Sequence, residues 1–226
     1  MIDRKVKRAA KIGIFAVGHH VYWKQFEGLL DSLMRYHRTA VAMVNENEVE
    51  LIDYGMIDSS EKAYQISQKM SGDHLDLIFC NMVTYATSSV FAPIIRNCTV
   101  PVVLLALQPL KALDYDKAST YMQLENDCIC SVPEFTGVAV RMGNPVNDVI
   151  IGTLENDWQV TEKIAEWCNI AKVMHSLNGA RIGLMGHVME AMYDMHADPT
   201  AVSKAFGLHV PLLEIEDAVA LYQKVT

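Results

Sequence analysis

The sequence lacks the glycine-rich loops that hold nucleotide phosphates. Neither G-x-G-x-x-G nor a Walker motif occurs, and the segment GIFAVGHH has only two glycines, five positions apart. A G-x-S-x-G nucleophile elbow and an H-E-x-x-H zinc helix are also missing. These absences argue against a nucleotide site on the first strand and against the common hydrolase classes.

Long apolar runs and positive charge are scarce as well. No segment approaches the roughly 20 apolar residues needed to span a bilayer. The net charge is −8, whereas surfaces that bind nucleic acid or anionic lipid usually carry a basic excess. We therefore expect neither nucleic acid nor a membrane among the partners.

Cysteine is used sparingly, and its spacing carries no metal signature. The five cysteines include no C-x-x-C pair, which disfavours both a disulfide framework and a structural zinc site. Cys128 and Cys130 form a C-x-C pair, and on a strand both thiols would point to one face. We expect packed, reduced thiols and a cytoplasmic location.

Short apolar runs alternate with segments of helical periodicity along the chain. This alternation is typical of an α/β fold with an open parallel sheet flanked by helices, of the flavodoxin or Rossmann kind. Basic residues precede the first run, but IGIFAVG leads into HHVYWK and not into a cleavage site, so we interpret it as a strand. The predicted strands are 11–18, 49–55, 75–82, 100–108 and 146–154, and the predicted helices are 23–37, 59–73, 87–98, 116–126, one beginning near 133, and 157–177.

The pattern divides the chain into three regions. Residues 1–156 form a first α/β domain, and 157–179 form a linker helix with an apolar face. From residue 180 a strand, a loop, a helix and a strand follow, with Asp198 and Pro199 opening the helix and Gly207 ending it. A single such unit cannot bury both faces of its sheet. We therefore expect 180–226 to be the beginning of a second α/β domain that is truncated.

Polar and aromatic loops follow the predicted strands, at the edge where open α/β sheets bind their ligands. These loops interleave aromatic rings with amides, carboxylates and imidazoles, which suits a polyol ligand. Each buried hydroxyl left unpaired would cost about 1–3 kcal/mol, so such a ligand needs many hydrogen-bonding groups. The loops are GHHVYWKQ (18–25), NMVTYATSS (81–89), QPLKALDYD (108–116) and GHVMEAMYDMH (186–196).

Several of these residues have more than one interpretation. On an extended backbone His19 and His20 diverge, so they cannot both serve one site, and at least one is structural. His187 and His196, with Glu190 and Asp194 between them, have a spacing that permits a metal cluster. Asp194 and Asp198 could instead cap successive helix starts. The methionines of this segment favour packing over chemistry.

The order of these loops resembles the amino-terminal half of the L-arabinose isomerase family, within the L-arabinose/L-fucose isomerase group. The resemblance extends over essentially all 226 residues. The segments that carry it are VGHHVYW after the first strand, CTVPVVLLALQPLKAL, MQLENDCICSVPEFTGVAVRMG, the helix 157–177, and RIGLMGHVMEAMYDMHADPTAVSKAFGLHV.

The resemblance implies an enzyme that converts an aldose to its ketose with a divalent metal, usually manganese. The metal ligands of the family would lie beyond Thr226, so it implies no catalytic residue, no metal ligand and no tightly bound Mn²⁺ in this chain. It also implies a sugar as the small-molecule partner and a homo-oligomer, a trimer or hexamer. The implied substrate-binding residues are His20, Tyr22, Trp23, Asn126 and Met189, supported by Gln108, Glu134, Glu190 and Asp194.

Two departures from the family pattern concern the substrate. Asn126 stands where the family has the longer glutamine, and the aromatic position matches either Tyr22 or Trp23. L-Arabinose is therefore one candidate among pentoses and deoxyhexoses. Two functions of other classes remain open: a non-catalytic sugar-binding module, and an oligomerisation module without sugar affinity.

Overall fold

The computed structural model describes residues 9–225. The chain forms two compact units, Met1–Lys172 and Val173–Thr226. Their boundary falls inside the helix that the sequence predicts as a linker. No helix within the described part of the chain combines the length and apolar character that crossing a membrane requires.

The first unit is built on one sheet of five parallel strands. The strands are β1 (Lys11–Val17), β2 (Glu50–Ile57), β3 (Leu77–Met82), β4 (Val102–Gln108) and β5 (Asp148–Thr153). They lie in the order β2-β1-β3-β4-β5, and every neighbouring pair is parallel. This is the doubly wound order of flavodoxin-like proteins, and it confirms the predicted α/β fold class.

Helices cover both faces of the sheet. The helices are α1 (Leu29–Asn45), α2 (Ser60–Asp73), α3 (Ala92–Asn97), α4 (Thr120–Glu125), α5 (Val132–Arg141) and α6 (Trp158–Leu177). Alternate residues of β1 serve opposite faces: Ile12 and Ile14 pack with α1 and α6, whereas Phe15 and Val17 pack with α2, α3 and α5. Burial on both sides explains why the central strands are almost wholly apolar.

Helix α1 begins six residues later than predicted. The sequence places its start at Trp23, but the helix begins at Leu29 because Gly28 before it has a φ of +79°. That left-handed conformation is accessible to glycine at little cost and interrupts helical hydrogen bonding. Residues 23–28 thereby belong to the loop that follows β1.

Strand β2 continues past the glycine that was predicted to end it. The register between β1 and β2 shifts between Ile14 and Ala16, and Gly55 sits opposite this irregularity with a φ of +70°. Its backbone N–H donates to Asp53 Oδ1 at 2.7 Å. Gly55 therefore forms a β-bulge within the strand.

A polar cluster centred on the buried His37 links α1 to the sheet. The side chain of His37 is fully buried, with Nε2 at 2.9 Å from Asp53 Oδ1 and Nδ1 at 3.2 Å from Asn81 Nδ2. Because the Asn81 amide N–H donates to Nδ1, the proton of the neutral imidazole is on Nε2 and points at the Asp53 carboxylate. Burial by itself would raise the pKa of Asp53. The interactions with His37 and with Gly55 N outweigh this effect, so the pKa of Asp53 is lowered.

The second unit contains the predicted β-α-β order with short strands. Its elements are β6 (Leu184–Met185), α7 (Pro199–Phe206), β7 (Leu212–Leu213) and α8 (Ile215–Tyr222). β6 and β7 are parallel. Asp198 Oδ1 accepts from Thr200 N at 2.8 Å and Gly207 ends α7 with a φ of +69°, as the sequence predicted. Among residues 173–225 the structure buries only Leu208.

Candidate functional site

The carboxyl edge of the sheet between β1 and β3 is the candidate site. After β1 the chain turns into α1 on one face, and after β3 it turns towards α3 on the opposite face. The two loops therefore diverge, and open α/β sheets usually bind their ligands at the point where neighbouring loops diverge in this way. The loop after β4 and the segment that ends α4 complete this edge.

The loop after β1 is fastened to the end of β2. Gly18 N donates to Ile57 O at 3.2 Å, and a Cβ on Gly18 would lie 2.9 Å from the Trp23 ring. The close approach of this ring is possible because residue 18 has no side chain. A short 3₁₀ helix, His20–Tyr22, follows.

Asp58, the first residue after β2, holds two predicted substrate-binding residues. Its Oδ2 accepts from Trp23 Nε1 at 2.7 Å, and its backbone oxygen accepts from His20 Nδ1 at 3.0 Å. A carbonyl oxygen can only accept, so Nδ1 carries the proton and Nε2 of the neutral imidazole is an acceptor. His20 is exposed, whereas Trp23 packs against Gly18 and is a structural anchor of the loop.

The other residues of this loop form an aromatic group. His19 lies edge-on to Tyr22, with 5.2 Å between ring centroids, and 5.5 Å from the His20 ring. The Tyr22 ring in turn lies 6.3 Å from Phe26. His19 and Tyr22 are half-buried. The sequence predicts that the imidazoles of His19 and His20 diverge on an extended backbone. This prediction is wrong, because the chain enters the 3₁₀ helix at His20 and the two rings lie in a T-shaped contact.

Side chains from two other segments act electrostatically on the Tyr22 phenol. Burial raises the pKa of the Tyr22 phenol, and Tyr85, Asp127 and Cys130 raise it further. Tyr85 lies in the loop after β3, whereas Asp127 and Cys130 follow α4. We call His19, Tyr22, Tyr85, Asp127 and Cys130 the edge cluster.

Asp127 is the acidic group of the edge cluster. Burial raises its pKa, and the hydrogen bond from the Cys130 thiol only partly offsets this. Burial also raises the pKa of the Cys130 thiol, with a contribution from the Asp127 carboxylate. The Asp127 carboxyl and the Cys130 thiol are therefore joined by a hydrogen bond in which the thiol donates.

The side chains of Asn126 and Gln108 form hydrogen bonds that connect the segments at this edge. Asn126 is buried; its Oδ1 accepts from Leu110 N at 3.1 Å and its Nδ2 donates to Met122 O at 2.9 Å. Gln108 Nε2 donates to the backbone oxygen of Asn126 at 2.9 Å. Both side chains thus join the end of β4 to the end of α4. Both amide atoms of Asn126 already have protein partners. Its predicted substrate contact stays a prediction.

Glu134 supports the loop after β3. Its Oε1 accepts from Ser88 N at 2.7 Å, and the neighbouring Ser131 Oγ accepts from Ala86 N at 2.9 Å. These bonds attach the beginning of α5 to the loop that carries Tyr85. The C-x-C pair lies just before α5, in a turn and not on a strand, with Cys128 buried and Cys130 exposed.

The predicted residues of the second unit lie on an exposed loop. Met189 is 64% exposed, and Glu190 and Asp194 are exposed as well. Asp194 lies within the 3₁₀ helix Tyr193–Met195, whose start has no side-chain cap. Of the two predicted caps, Asp194 and Asp198, only Asp198 caps a helix. His187 Nε2 lies 3.5 Å from Glu214 Oε2. Across residues 9–225 no three His, Cys, Asp or Glu side chains group closely enough to hold a metal.

Sequence reasoning missed Asp58 and Asp127. Asp58 directly follows β2, and an acidic residue at a strand's carboxyl end was an available signal for this edge. Asp127 adjoins Asn126, but its approach to Tyr22 depends on how α4 packs. Only the folded chain brings these two carboxylates to the loop after β1.

Comparisons with known proteins do not identify a family for this chain. No family model and no curated protein matches the chain. A type II dehydroquinase from Propionibacterium acnes is similar at a TM-score of 0.37 and 12% identity, over 72% of this chain and 99% of that one. A UDP-GlcNAc 2-epimerase from Neisseria meningitidis, bound to UDP-GlcNAc, is similar at a TM-score of 0.25 and 11% identity. This likeness covers 90% of this chain and 72% of that one. Neither likeness bears on what this chain does.

Proposed function

We propose that the edge cluster forms one wall of a sugar-binding site. We further propose that the chain supplies this wall as the amino-terminal region of a metal-dependent aldose–ketose isomerase for a pentose or deoxyhexose such as L-arabinose. The observation that carries the proposal is the aromatic group of the loop after β1, in which His19 lies 5.2 Å from Tyr22, together with the electrostatic effect of Tyr85 and Asp127 on Tyr22 from two other segments.

The chemistry of the cluster suits a polyol. Phenols donate and accept hydrogen bonds and a carboxylate accepts them, and His20, which adjoins the cluster, contributes an Nε2 acceptor. The half-buried rings of His19 and Tyr22 offer faces on which the C–H side of a sugar can stack. Asp58 holds the loop in place before a ligand arrives, which lowers the entropy cost of binding.

The proposed role of this chain is binding and orientation. Moving a proton between neighbouring carbons of a sugar requires a base, and the family resemblance also implies a metal that polarises the oxygens. The described residues do not fit such a metal, because they contain no group of three suitable ligands. We therefore assign no catalytic step to the edge cluster.

An oligomerisation module is the second candidate, and the second unit favours it. Both strands of the β6–β7 pair are exposed, although parallel sheets are normally covered on both faces. Analytical ultracentrifugation tests this function. A stable oligomer without sugar affinity would support it over the binding site.

The binding site is tested by titrating L-arabinose and L-fucose into the chain without metal and following amide NMR shifts. We expect saturable binding, with shifts in the loops after β1 and β3. Tyr22→Phe should weaken binding about fivefold, the effect of losing one hydrogen bond of about 1 kcal/mol. Tyr64→Phe on α2 is the matched control and should leave the affinity unchanged.

Four outcomes would contradict the proposal. The binding site is wrong if neither sugar gives saturable shifts, or if the shifts lie outside the edge loops. The restriction to binding is wrong if the chain with added Mn²⁺ produces ketose from either aldose. Equal losses of sugar affinity in Tyr22→Phe and Tyr64→Phe would show that the edge cluster is not the binding site.

A further inference from the structure

A cavity separate from the edge cluster lies between α2, α3 and the end of α5. Its volume is about 240 Å³. We call it the α2–α3 cavity. The residues that line it and carry the argument are Ser60, Tyr64, Ser89, Pro93, Arg96 and Met142.

Hydrogen bonds beneath the cavity hold its walls together. The buried Ser67 of α2 donates from Oγ to Pro93 O at 2.8 Å, which joins α2 to α3. Asn144, after α5, donates from Nδ2 to Ile95 O at 2.7 Å and to Cys98 O at 2.8 Å. The cavity is thus formed before any ligand binds, as small-molecule sites usually are.

The cavity combines an apolar wall with one positive charge. The Arg96 guanidinium lies 5.4 Å from the centroid of the Tyr64 ring. None of the carboxylates in residues 9–225 forms an ion pair with Arg96. The guanidinium is exposed and carries no carboxylate partner among these residues, so it is available to an incoming anion.

Two neighbouring features act on such an anion in opposite directions. Ser60 begins α2, so the positive end of this helix dipole lies at the cavity. Glu61, in the same first turn, is exposed and repels an anion. Glu134 is already engaged, because its Oε1 accepts from Ser88 N.

We propose that the α2–α3 cavity binds a small aromatic carboxylate. The aromatic ring packs against Tyr64 and Pro93, and the carboxylate bonds to the Arg96 guanidinium, with the Ser60 and Ser89 hydroxyls beside it. The volume suits a single ring, because the pockets of drug-sized ligands measure about 300–1,000 Å³. This site is independent of the sugar site proposed for the edge cluster.

The experiment titrates benzoate, benzamide and inorganic phosphate into the full chain and follows amide NMR shifts. We expect saturable benzoate shifts in α2 and α3, at least tenfold weaker binding of the uncharged benzamide, and no saturable phosphate shifts there. Arg96→Gln should weaken benzoate binding at least tenfold. Arg38→Gln, which removes an exposed arginine of α1 on the other face, is the matched control and should have no effect.

Further variants separate the two sites. Glu61→Gln should strengthen benzoate binding, whereas Tyr22→Phe should leave it unchanged. Circular dichroism confirms that each variant is folded. The proposal is wrong if benzoate does not bind the wild-type chain, if benzamide binds equally well, or if Arg96→Gln keeps the wild-type affinity.

Discussion

Asp58 Oδ2 and Trp23 Nε1 are joined by a 2.7 Å hydrogen bond between residues 35 positions apart. The bond connects the loop after β1 to the first residue after β2. The same residue also holds His20 through its backbone oxygen. The position of the whole loop therefore depends on a carboxylate from the neighbouring strand.

Replacing Trp23 by Phe tests this relationship. The smaller ring keeps part of the packing against Gly18 but removes the N–H donor to Asp58. We expect the free energy of unfolding to fall by about 1.5 kcal/mol, as for other hydrogen bonds to charged groups. Urea unfolding followed by circular dichroism measures it. Trp158→Phe, at a ring that is 70% exposed, should change stability by less than about 0.5 kcal/mol.

Two glycines should respond to alanine with opposite signs. Gly28 has a φ of +79°, so Gly28→Ala should destabilise the chain by about 1–2 kcal/mol. Gly72 lies inside α2 with open space around it, so Gly72→Ala should stabilise by about 0.5 kcal/mol. Urea midpoints of both variants measure the effects. A stabilising change at Gly28 would contradict the start assigned to α1.

Asp53 should make stability depend on pH. Its pKa is lower in the folded chain than in the unfolded one, so the stability it contributes is present above the ordinary aspartate pKa of about 3.9 and is lost as pH falls. At pH 6 Asp53→Asn should cost about 1 kcal/mol, a modest amount because the carboxylate is 38% exposed and screened by solvent.

The measurement compares urea unfolding of wild type and Asp53→Asn between pH 6 and pH 3. The difference in unfolding free energy should shrink as the pH falls below 4. A difference that stays constant over this range would show that the Asp53 charge contributes nothing through His37 and Gly55.

The five thiols should separate into classes on alkylation at pH 8. Burial raises the pKa of Cys128 to about 12 and of Cys168 to about 11, and it raises that of Cys80 as well. These three should react only on unfolding. Exposed Cys130 should react first, and half-buried Cys98 more slowly.

Mass spectrometry with iodoacetamide identifies the labelled residues. Cys130→Ser should abolish the fast phase, and Asp127→Asn should accelerate it modestly, because burial contributes more than Asp127 to the raised pKa of Cys130. Retention of the fast phase in Cys130→Ser would contradict the exposure assigned to this residue.

More of the fold than of the candidate site could be predicted from the sequence. The runs that became β1, β3 and β4 are apolar because both faces of the sheet are covered, and this requirement is visible in the sequence alone. The start of α1 and the end of β2 were misplaced at Gly28 and Gly55. In both cases a positive φ that depends on the surrounding structure decided the outcome.

The sequence indicated which loops form the candidate site, but not which side chains contact each other there. The loop after β1 was identified because aromatic and imidazole side chains follow an apolar strand. The sequence did not distinguish the exposed His20 from the anchoring Trp23, since that distinction depends on Asp58. Asn126 lies next to the edge, but its amide is buried and joined to Leu110 and Met122.

The sequence by itself determined the α/β class, the position of each strand of the sheet and the edge at which polar loops gather. These properties follow from local composition, because burial on one or both faces selects apolar residues at each position. Only the tertiary structure decided which side chains meet at that edge. Hydrogen bonds such as Trp23 to Asp58, and the approach of Asp127 to Tyr22, join segments that are distant along the chain and adjacent only after folding.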